Sequence, residues 1–263
     1  MKLNSENIIL FMTGLNFNLP LLSSMCAKLL FFLIVLSIPS ACIEEDERIV
    51  TEEPDVVDPL IGAWGGQDFI KDQAVDVVVI FTPTHQVAAW FNASTGALVS
   101  TNGGLWSRTG IHVTEKVEFH SDRPERVGTD VSFDIELVND SLSIVGSDSW
   151  LTRIDQRDQD RLEGVWQLKE EGATGASSAD PKRIRMMSST RFQEVEYEPE
   201  SGRLLSTAGG RYQIDGVSYL EETIFSTSQE AVDVQAVPFT VEREAENWRQ
   251  IGTNETERVW QRY

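Results

Sequence analysis

Two glutamates at equivalent positions are the residues of this chain that are best placed to do chemistry. Glu115 shares one face of a predicted strand with Val113 and Val117, and Glu221 shares a similar face with Phe225. A carboxylate that points into an apolar interior costs several kcal/mol unless it is paired or hydrogen-bonded. We therefore expect each glutamate to have either a functional or a structural role.

Three roles fit this pair. A carboxylate can orient a ligand in a mostly apolar cavity. It can instead be a structural group that an arginine or other hydrogen-bond donors hold in place. It can also be a general base, which requires a cavity, a raised pKa and a polar partner. Because equivalent positions of a duplicated chain record shared architecture, the structural role is preferred, and the enzymatic role is the least favoured.

Aromatic residues near the two glutamates complete the set of candidate binding residues. Trp106 and Tyr212 each come two positions after a Gly-Gly pair, where they line a cavity or pack in a core. The candidate ligand-binding residues are Glu115, Glu221, Trp106, Tyr212, Tyr219, Phe119 and Phe225.

No motif in the sequence supplies a catalytic residue, a cofactor or a metal. We find no nucleophile elbow, His-Glu-x-x-His, phosphate-binding loop or dinucleotide fingerprint. His112 and His120 are assigned to the polar face of one strand, about 26 Å apart at ~3.3 Å per residue, which is too far to share a metal. We therefore expect no catalytic residues, no cofactor and no metal site.

The segments that carry these residues occur twice. Residues 96–106 return at 202–212, displaced by 106 positions, with six of eleven residues identical. Upstream, the pattern Leu-x-Gly-x-Trp at 60–64 returns at 162–166. A self-match of this kind predicts that one fold is built twice. We place repeat one at 58–155 and repeat two at 156–263, which makes Glu115 and Glu221 equivalent.

Alternating hydrophobicity predicts that each repeat consists of β-strands. Apolar and polar residues alternate in 111–120 and 130–137, which is typical of a strand with one wet face, and 75–81 is a continuous β-branched run. Glycine-rich turns are predicted between the strands, including one at Gly103-Gly104 and one at Gly209-Gly210. Many short antiparallel strands indicate an all-β sandwich or barrel.

A resemblance decides between the barrel and the sandwich. The motif positions in repeat two are Leu162/Gly164/Trp166, Tyr197/Pro199/Gly202, Gly209/Gly210/Tyr212, Tyr219/Glu221 and Trp260/Arg262. This order resembles the lipocalin-like family found in many exported bacterial proteins. The resemblance implies two tandem small antiparallel lipocalin-like β-barrels, often with an internal cavity and with no known reaction. It also implies a tryptophan beneath an arginine in each barrel, namely Trp64 with Arg153 and Trp166 with Arg262.

The amino-terminal residues have the anatomy of an export signal. A lysine precedes the apolar run 29–36, which is too short to span a bilayer, and small residues precede Cys42. The pattern resembles a bacterial lipoprotein signal, in which the cysteine is acylated, and an ordinary cleaved signal is the alternative. We expect a signal peptide at 1–41, with Met25 as an alternative start, then lipid-anchored Cys42 and an acidic tether at 42–57.

Charge and cysteine content limit the possible partners. The formal net charge is −20, which argues against binding of nucleic acid or electrostatic docking to anionic lipid. The only cysteines are Cys26 and Cys42, so the repeats contain no disulfide. We therefore expect a non-enzymatic, membrane-tethered protein of the cell envelope that binds a small apolar or amphipathic ligand, with no protein partner specified. A structural or interaction protein with filled barrels is the alternative.

Overall fold

Two closed antiparallel β-barrels form the described part of the chain. The computed structural model describes residues 57–70, 73–155, 162–171, 181–227 and 231–263. The predicted signal peptide, Cys42 and the acidic tether up to residue 56 lie outside this part. The prediction of an all-β protein with two tandem barrels is confirmed. Among the described residues, no helix has the length and apolarity needed to cross a membrane.

The first barrel contains eight strands in chain order, and a pairing between the last strand and the first closes it. Its strands are β1 (Gly62–Ile70), β2 (Gln73–Phe81), β3 (His85–Asn92), β4 (Leu98–Thr109), β5 (His112–His120), β6 (Asp130–Val138), β7 (Ser141–Ile144) and β8 (Leu151–Arg153). A single 3₁₀ turn, Pro124–Arg126, precedes β6. Closure removes the exposed edges that an open sheet would present.

The second barrel repeats the same topology. Its strands are β9 (Gly164–Glu171), β10 (Lys182–Met187), β11 (Arg191–Tyr197), β12 (Leu204–Asp215), β13 (Ser218–Ser226), β14 (Ala236–Arg243), β15 (Asn247–Gly252) and β16 (Glu257–Arg262). Strand pairing keeps the offset of the repeat: Val113 pairs with Phe133 in the first barrel, and Tyr219 pairs with Phe239 in the second. Residues of the two barrels can therefore be compared position by position.

The two Gly-Gly pairs lie inside strands, so the prediction that they form turns is wrong. β4 and β12 run straight through them, and the pairing with the next strand shifts by one residue at each pair. A side chain at Gly104 would overlap the carbonyl oxygen of Lys116, and one at Gly210 would overlap that of Glu222. Glycine is needed here because the β-bulge brings two backbones unusually close.

A tryptophan lies beneath an arginine in each barrel, as the resemblance implied. The guanidinium carbon of Arg153 is 4.2 Å from the ring centroid of Trp64, and that of Arg262 is 4.1 Å from Trp166. Each of these indole N–H groups donates to the carbonyl oxygen four residues earlier, at 2.8 Å and 2.9 Å. The arrangement ties the first strand of each barrel to its last strand.

The outer faces of the two barrels pack against each other in a reciprocal way. Phe119 of the first barrel contacts Tyr197 of the second, with ring centroids 5.1 Å apart. Phe225 of the second stacks on Phe91 of the first at 4.7 Å. Phe91 and Tyr197 are equivalent positions, as are Phe119 and Phe225. The interface is therefore built like that of a symmetric dimer, within one chain.

The repeated sequence motif forms much of this interface. Gly96 and Gly202 both have a positive φ, 71° and 63°, and a side chain at either position would overlap a backbone oxygen of the other barrel. Between the barrels, Gln193 Nε2 donates to Thr101 Oγ1 at 2.9 Å, and it also donates to Thr207 Oγ1 of its own barrel at 3.0 Å. Contact between the copies thus accounts for the identity of several residues in the motif.

Candidate functional site

An apolar cavity of about 40 Å³ lies inside the first barrel. Its wall is formed by β1–β3, β6–β8 and the loop after β7, and it includes Val77, Val79, Trp90, Leu142 and Leu151. A single enclosed water needs roughly 10–15 Å³. The cavity therefore exceeds the space of one water and can hold a small molecule.

Two leucines explain why this space is open. Leu142 and Leu151 pair across β7 and β8, and both border the cavity. At the equivalent positions of the second barrel, Trp248 and Trp260 pair across β15 and β16. Their rings stack with centroids 5.8 Å apart, and both are fully buried. Indoles thus fill the volume that the leucines leave empty.

Asp68 places a carboxylate at this apolar cavity. It lies on β1, lines the cavity and is only 5% exposed. Its Oδ1 accepts a hydrogen bond of 2.7 Å from the backbone N–H of Phe69. Burial raises the pKa of Asp68, while hydrogen bonds from Phe69 and Ser149 lower it in part.

Trp90 also lines the cavity and belongs to the hydrophobic core of the first barrel. It lies on β3, is 2% exposed, and its indole Nε1 has no acceptor among the described residues. The other two tryptophans packed in this barrel are satisfied, since Trp64 donates to the Leu60 carbonyl and Trp106 donates to the Thr82 carbonyl, each at 2.8 Å. The same kind of unpaired donor occurs in the filled second barrel, where Nε1 of Trp248 and Nε1 of Trp260 have no acceptor among the described residues.

Glu115 lies in the first barrel but does not border the cavity. It is 1% exposed, and the amide nitrogen of Asn102 donates to its two oxygens at 3.1 Å and 3.2 Å. Burial raises the pKa of Glu115 to about 7, and hydrogen bonds from Asn102 and Gln86 offset only part of that rise. Neutral amides therefore hold a carboxyl group that is partly protonated at neutral pH.

Glu221, at the equivalent position, is held by an arginine. Arg185 Nη1 is 2.8 Å from Glu221 Oε2, and Arg185 Nη2 is 2.6 Å from Glu194 Oε2. The hydroxyl of Tyr219 also donates to Glu221, at 3.0 Å. Burial alone would lower the pKa of Arg185, but the negative charges of Glu221 and Glu194 outweigh burial and raise it. This network is the structural alternative that the sequence allowed.

The remaining candidate residues lie in two different places. Trp106 and Tyr212 are core residues whose polar atoms donate to backbone carbonyls, and Tyr212 stacks on Tyr219 at 5.4 Å. Phe119 and Phe225 lie outside the barrels, at the interface. None of the seven predicted candidates borders the cavity. Their proposed role in ligand binding stays a prediction.

A β-bulge explains the positions of Phe119 and Phe225. The register of β5 against β4 shifts between Gly103 and Gly104, and that of β13 against β12 shifts between Gly209 and Gly210. A shift of one residue exchanges the faces of every side chain beyond it. The expectation that these phenylalanines share a face with the glutamates is therefore wrong.

The same register shift changes which face of β5 one of its two histidines lies on. His112 is exposed and lies 2.8 Å from Asp134, as expected for a polar face. His120 lies beyond the bulge, is 2% exposed, and pairs with Asp122 at 3.2 Å. Its assignment to the solvated face is wrong. Within the described ranges, no cluster of three or more histidine, cysteine, aspartate or glutamate residues could hold a metal ion.

Sequence reasoning missed Asp68, Trp90 and Arg185. Asp68 follows Gly65-Gly66-Gln67, where no apolar alternation marks an inward face. Arg185 lies in a segment with three basic residues, which is more typical of a solvated surface. Comparing the two repeats position by position would have found one signal: Arg185 stands where the first repeat has Val79.

Comparisons with known proteins add little to this geometry. No family model matches the chain, and no curated protein matches it. Among solved structures, the crystal structure of BamB from Moraxella catarrhalis aligns with 74% of this chain and 84% of its own, at 10% identity and a TM-score of 0.13. A TM-score this low carries no argument about fold or function.

Proposed function

We propose that this chain is a non-enzymatic lipocalin-like binding protein whose first barrel holds a small apolar or amphipathic molecule. The observation that carries the proposal is the apolar cavity of about 40 Å³ in that barrel, whose lining includes a few polar residues such as Asp68 and Ser149. Binding sites for small molecules are mostly apolar, with a few polar groups that fix orientation. The cavity has both attributes.

The second barrel serves as a filled structural body in this proposal. Trp248 and Trp260 occupy the volume that is open in the first barrel. The guanidinium carbon of Arg185 lies 4.9 Å from the ring centroid of Trp260 and completes the packing. One chain thus combines the two functions that the sequence left as alternatives, with one barrel for each.

The proposal gives neither glutamate a catalytic role. Glu221 is held in an ion pair, with Arg185 Nη1 2.8 Å from its Oε2. Glu115 has the raised pKa that a general base requires, but it does not border the cavity. A molecule in the cavity would have no access to either carboxylate.

We further propose that the protein is exported and held at a bacterial membrane by a lipid on Cys42. The support is the sequence pattern alone: an apolar run, small residues, the cysteine and then an acidic segment. The mass of the mature amino-terminal peptide tests this proposal. An acylated Cys42 supports it, and an unmodified terminus elsewhere contradicts it.

Binding of an apolar probe tests the proposed cavity directly. Xenon enters apolar cavities that stay dry in water, and a single atom suits a cavity of about 40 Å³. We expect saturating xenon to raise the Tm of the full chain. The variant Leu142→Trp, which copies Trp248 of the second barrel, fills the cavity and should remove the shift. Native mass spectrometry of protein purified from its own host then identifies any molecule already bound.

The control variant adds the same side chain elsewhere. Leu105 is 42% exposed and does not border the cavity, so Leu105→Trp should keep the shift caused by xenon. An equal Tm shift in the wild type and in Leu142→Trp would contradict the proposed site. No shift in any of the three proteins would contradict the binding function.

A further inference from the structure

The seam of each barrel, where its first strand pairs with its last, is much shorter in the first barrel than in the second. Among the described residues, β1 pairs with β8 at Trp64 and Gly65 alone. In the second barrel β9 pairs with β16 at five positions, from Trp166 to Glu171. β8 has three residues and β16 has six. The second half of β1, residues 66–70, therefore continues past the end of the seam.

Asp68 replaces part of the missing strand pairing. The N–H of Ile154 donates to the carbonyl of Ala63 at 2.9 Å, so the backbone groups of alternate residues of β1 face β8. Phe69 belongs to this set, and its N–H donates at 2.7 Å to the side chain of Asp68. The equivalent residues of the second barrel, Glu170 and Glu171, pair with β16 instead.

The cavity of the first barrel adjoins the short seam. Six of its lining residues lie on β1, β7, β8 or the loop between β7 and β8, namely Gln67, Asp68, Ser143, Ser147, Ser149 and Leu151. Side chains hold that loop: Ser143 Oγ donates to the carbonyl of Ser149 at 2.8 Å, and the N–H of Ser149 donates to Ser147 Oγ at 3.0 Å. Hydrogen bonds of side chains thus close the wall where the second barrel has a strand ladder.

Other parts of the wall are more firmly closed. β1 pairs with β2 at nine positions, and β2 pairs with β3 at seven. Val127, in the loop between β5 and β6, packs on the core of the first barrel, and a side chain at Gly202 of the second barrel would overlap it. The second barrel therefore supports that loop from outside, whereas the loop before β8 depends on its own serines.

We propose that small apolar molecules enter and leave the cavity through the seam, between residues 66–70 of β1 and the loop 145–150. This inference rests on the proposed binding function and adds the route that a ligand takes. Segments with few backbone hydrogen bonds open locally at a lower free energy than paired strands. Phe69 and Trp150, which are 60% and 44% exposed, offer apolar surface on the two sides of this route.

Xenon NMR on the full chain tests the route, because it measures the affinity and the exit rate separately. Ser143→Ala removes the donor that holds the loop at Ser149. Loss of one hydrogen bond should make xenon leave about 5-fold faster, while its affinity changes little. Thr82→Val is the control: it removes a hydroxyl that donates to the carbonyl of His85 at 2.9 Å, in the turn between β2 and β3. This variant should leave the exit rate unchanged.

A second pair of variants tests the same route from β1. Asp68→Ala removes the acceptor of the Phe69 N–H and the hydrogen bond with Ser149, so exit should again be about 5-fold faster or more. Asp68→Asn keeps an oxygen that accepts both hydrogen bonds, so its exit rate should stay close to that of the wild type. The difference between the two variants reports the hydrogen bonds and not the charge.

The outcomes separate the route from the binding function. If xenon binds and leaves at the same rate from the wild type, Ser143→Ala and Asp68→Ala, the route is wrong and the binding function stands. Equal acceleration by Thr82→Val would also contradict the route, since loosening anywhere in the barrel would then release xenon. If xenon does not bind to the wild type, both proposals fail.

Discussion

Both barrels have a glutamate at the same inward position, but the residues that hold this glutamate differ between them. In the first barrel Asn102 and Gln86 face Glu115, and burial raises its pKa to about 7. In the second barrel Arg185 holds Glu221 at 2.8 Å. The two glutamates are at equivalent positions, but only Glu221 is paired with a buried arginine. A residue shared by both copies therefore reflects their common fold, and the residues around it show how the copies have diverged.

The interiors of the two barrels also differ in how completely side chains fill them. Leucines at positions 142 and 151 border an open space, and tryptophans at the equivalent positions 248 and 260 stack and close it. The filled barrel also carries the buried cation. The hollow barrel carries the carboxyl group that is close to neutral. Four experiments test this contrast, and they follow in order of the expected effect.

Loss of the buried arginine should have the largest effect. Arg185 is 1% exposed, and its removal takes the paired cation from Glu221 and, among the described residues, leaves Glu194 with only Arg183, at 3.5 Å. Breaking a buried ion pair costs about 3–5 kcal/mol, so Arg185→Met should lower the free energy of unfolding by that amount. Urea denaturation followed by circular dichroism measures it.

An exposed ion pair provides the control. Arg203 pairs with Glu198, and both side chains are largely in solvent. Exposed pairs are screened by solvent and contribute little, so Arg203→Met should leave the free energy of unfolding almost unchanged. Equal losses in the two variants would remove the distinction between a buried network and an ordinary surface pair.

Removing the charge of Glu115 should stabilise the chain at high pH. Because the folded state holds the Glu115 proton more tightly than the unfolded chain, stability falls as pH rises from about 4.5 through about 7. Glu115→Gln should remove this fall and add about 3 kcal/mol at pH 8.5, with little change at pH 4.

The equivalent change in the second barrel should have the opposite sign. Glu221→Gln takes an anion away from Arg185, so it should destabilise the chain at pH 7. Free energies of unfolding for both variants between pH 4 and pH 9 make the comparison. A pH profile of Glu115→Gln that is parallel to the wild type would show that Glu115 titrates normally.

Creating a cavity in the second barrel should lower the free energy of unfolding by a smaller amount. Trp248→Leu copies Leu142 and leaves a space beside Trp260. Truncation of a large buried side chain leaves a cavity, and this partial truncation should cost about 2 kcal/mol. The variant should also gain a Tm shift with xenon. Loss of stability without xenon binding would mean that the barrel collapses onto the space.

The smallest effect is expected where the barrels meet. Gln193 donates to Thr101 and Thr207, and its equivalent in the first barrel is Val87. A hydrogen bond contributes about 0.5–1.5 kcal/mol, so Gln193→Val should cost about 1 kcal/mol in chemical denaturation. A loss several times larger would indicate that this one side chain holds the barrels together.

Local pattern predicted the fold better than it predicted the site. Alternation in 130–137 and the β-branched run in 75–81 report burial on one or both faces, and both segments are strands. The equivalence of Glu115 and Glu221 also followed from the repeat alone. These features depend on residues that are close in sequence, which is why the sequence carries them.

The site depends on relations that local pattern does not encode. The bulges at Gly103-Gly104 and Gly209-Gly210 reverse the facing of later residues, because pairing with the next strand sets the register. The cavity depends on Leu142 meeting Leu151 across two strands. Asp68 gives no sign in its own segment that it lies beside such a space.

The reciprocal contacts of Phe119 with Tyr197 and of Phe225 with Phe91 have a consequence for how the copies diverge. In an assembly of two identical chains, every substitution appears in both subunits at once. A covalent link removes that constraint and keeps the partner at a high effective concentration. One half is then free to acquire tryptophans and a buried cation, while the other half keeps its leucines and its open space.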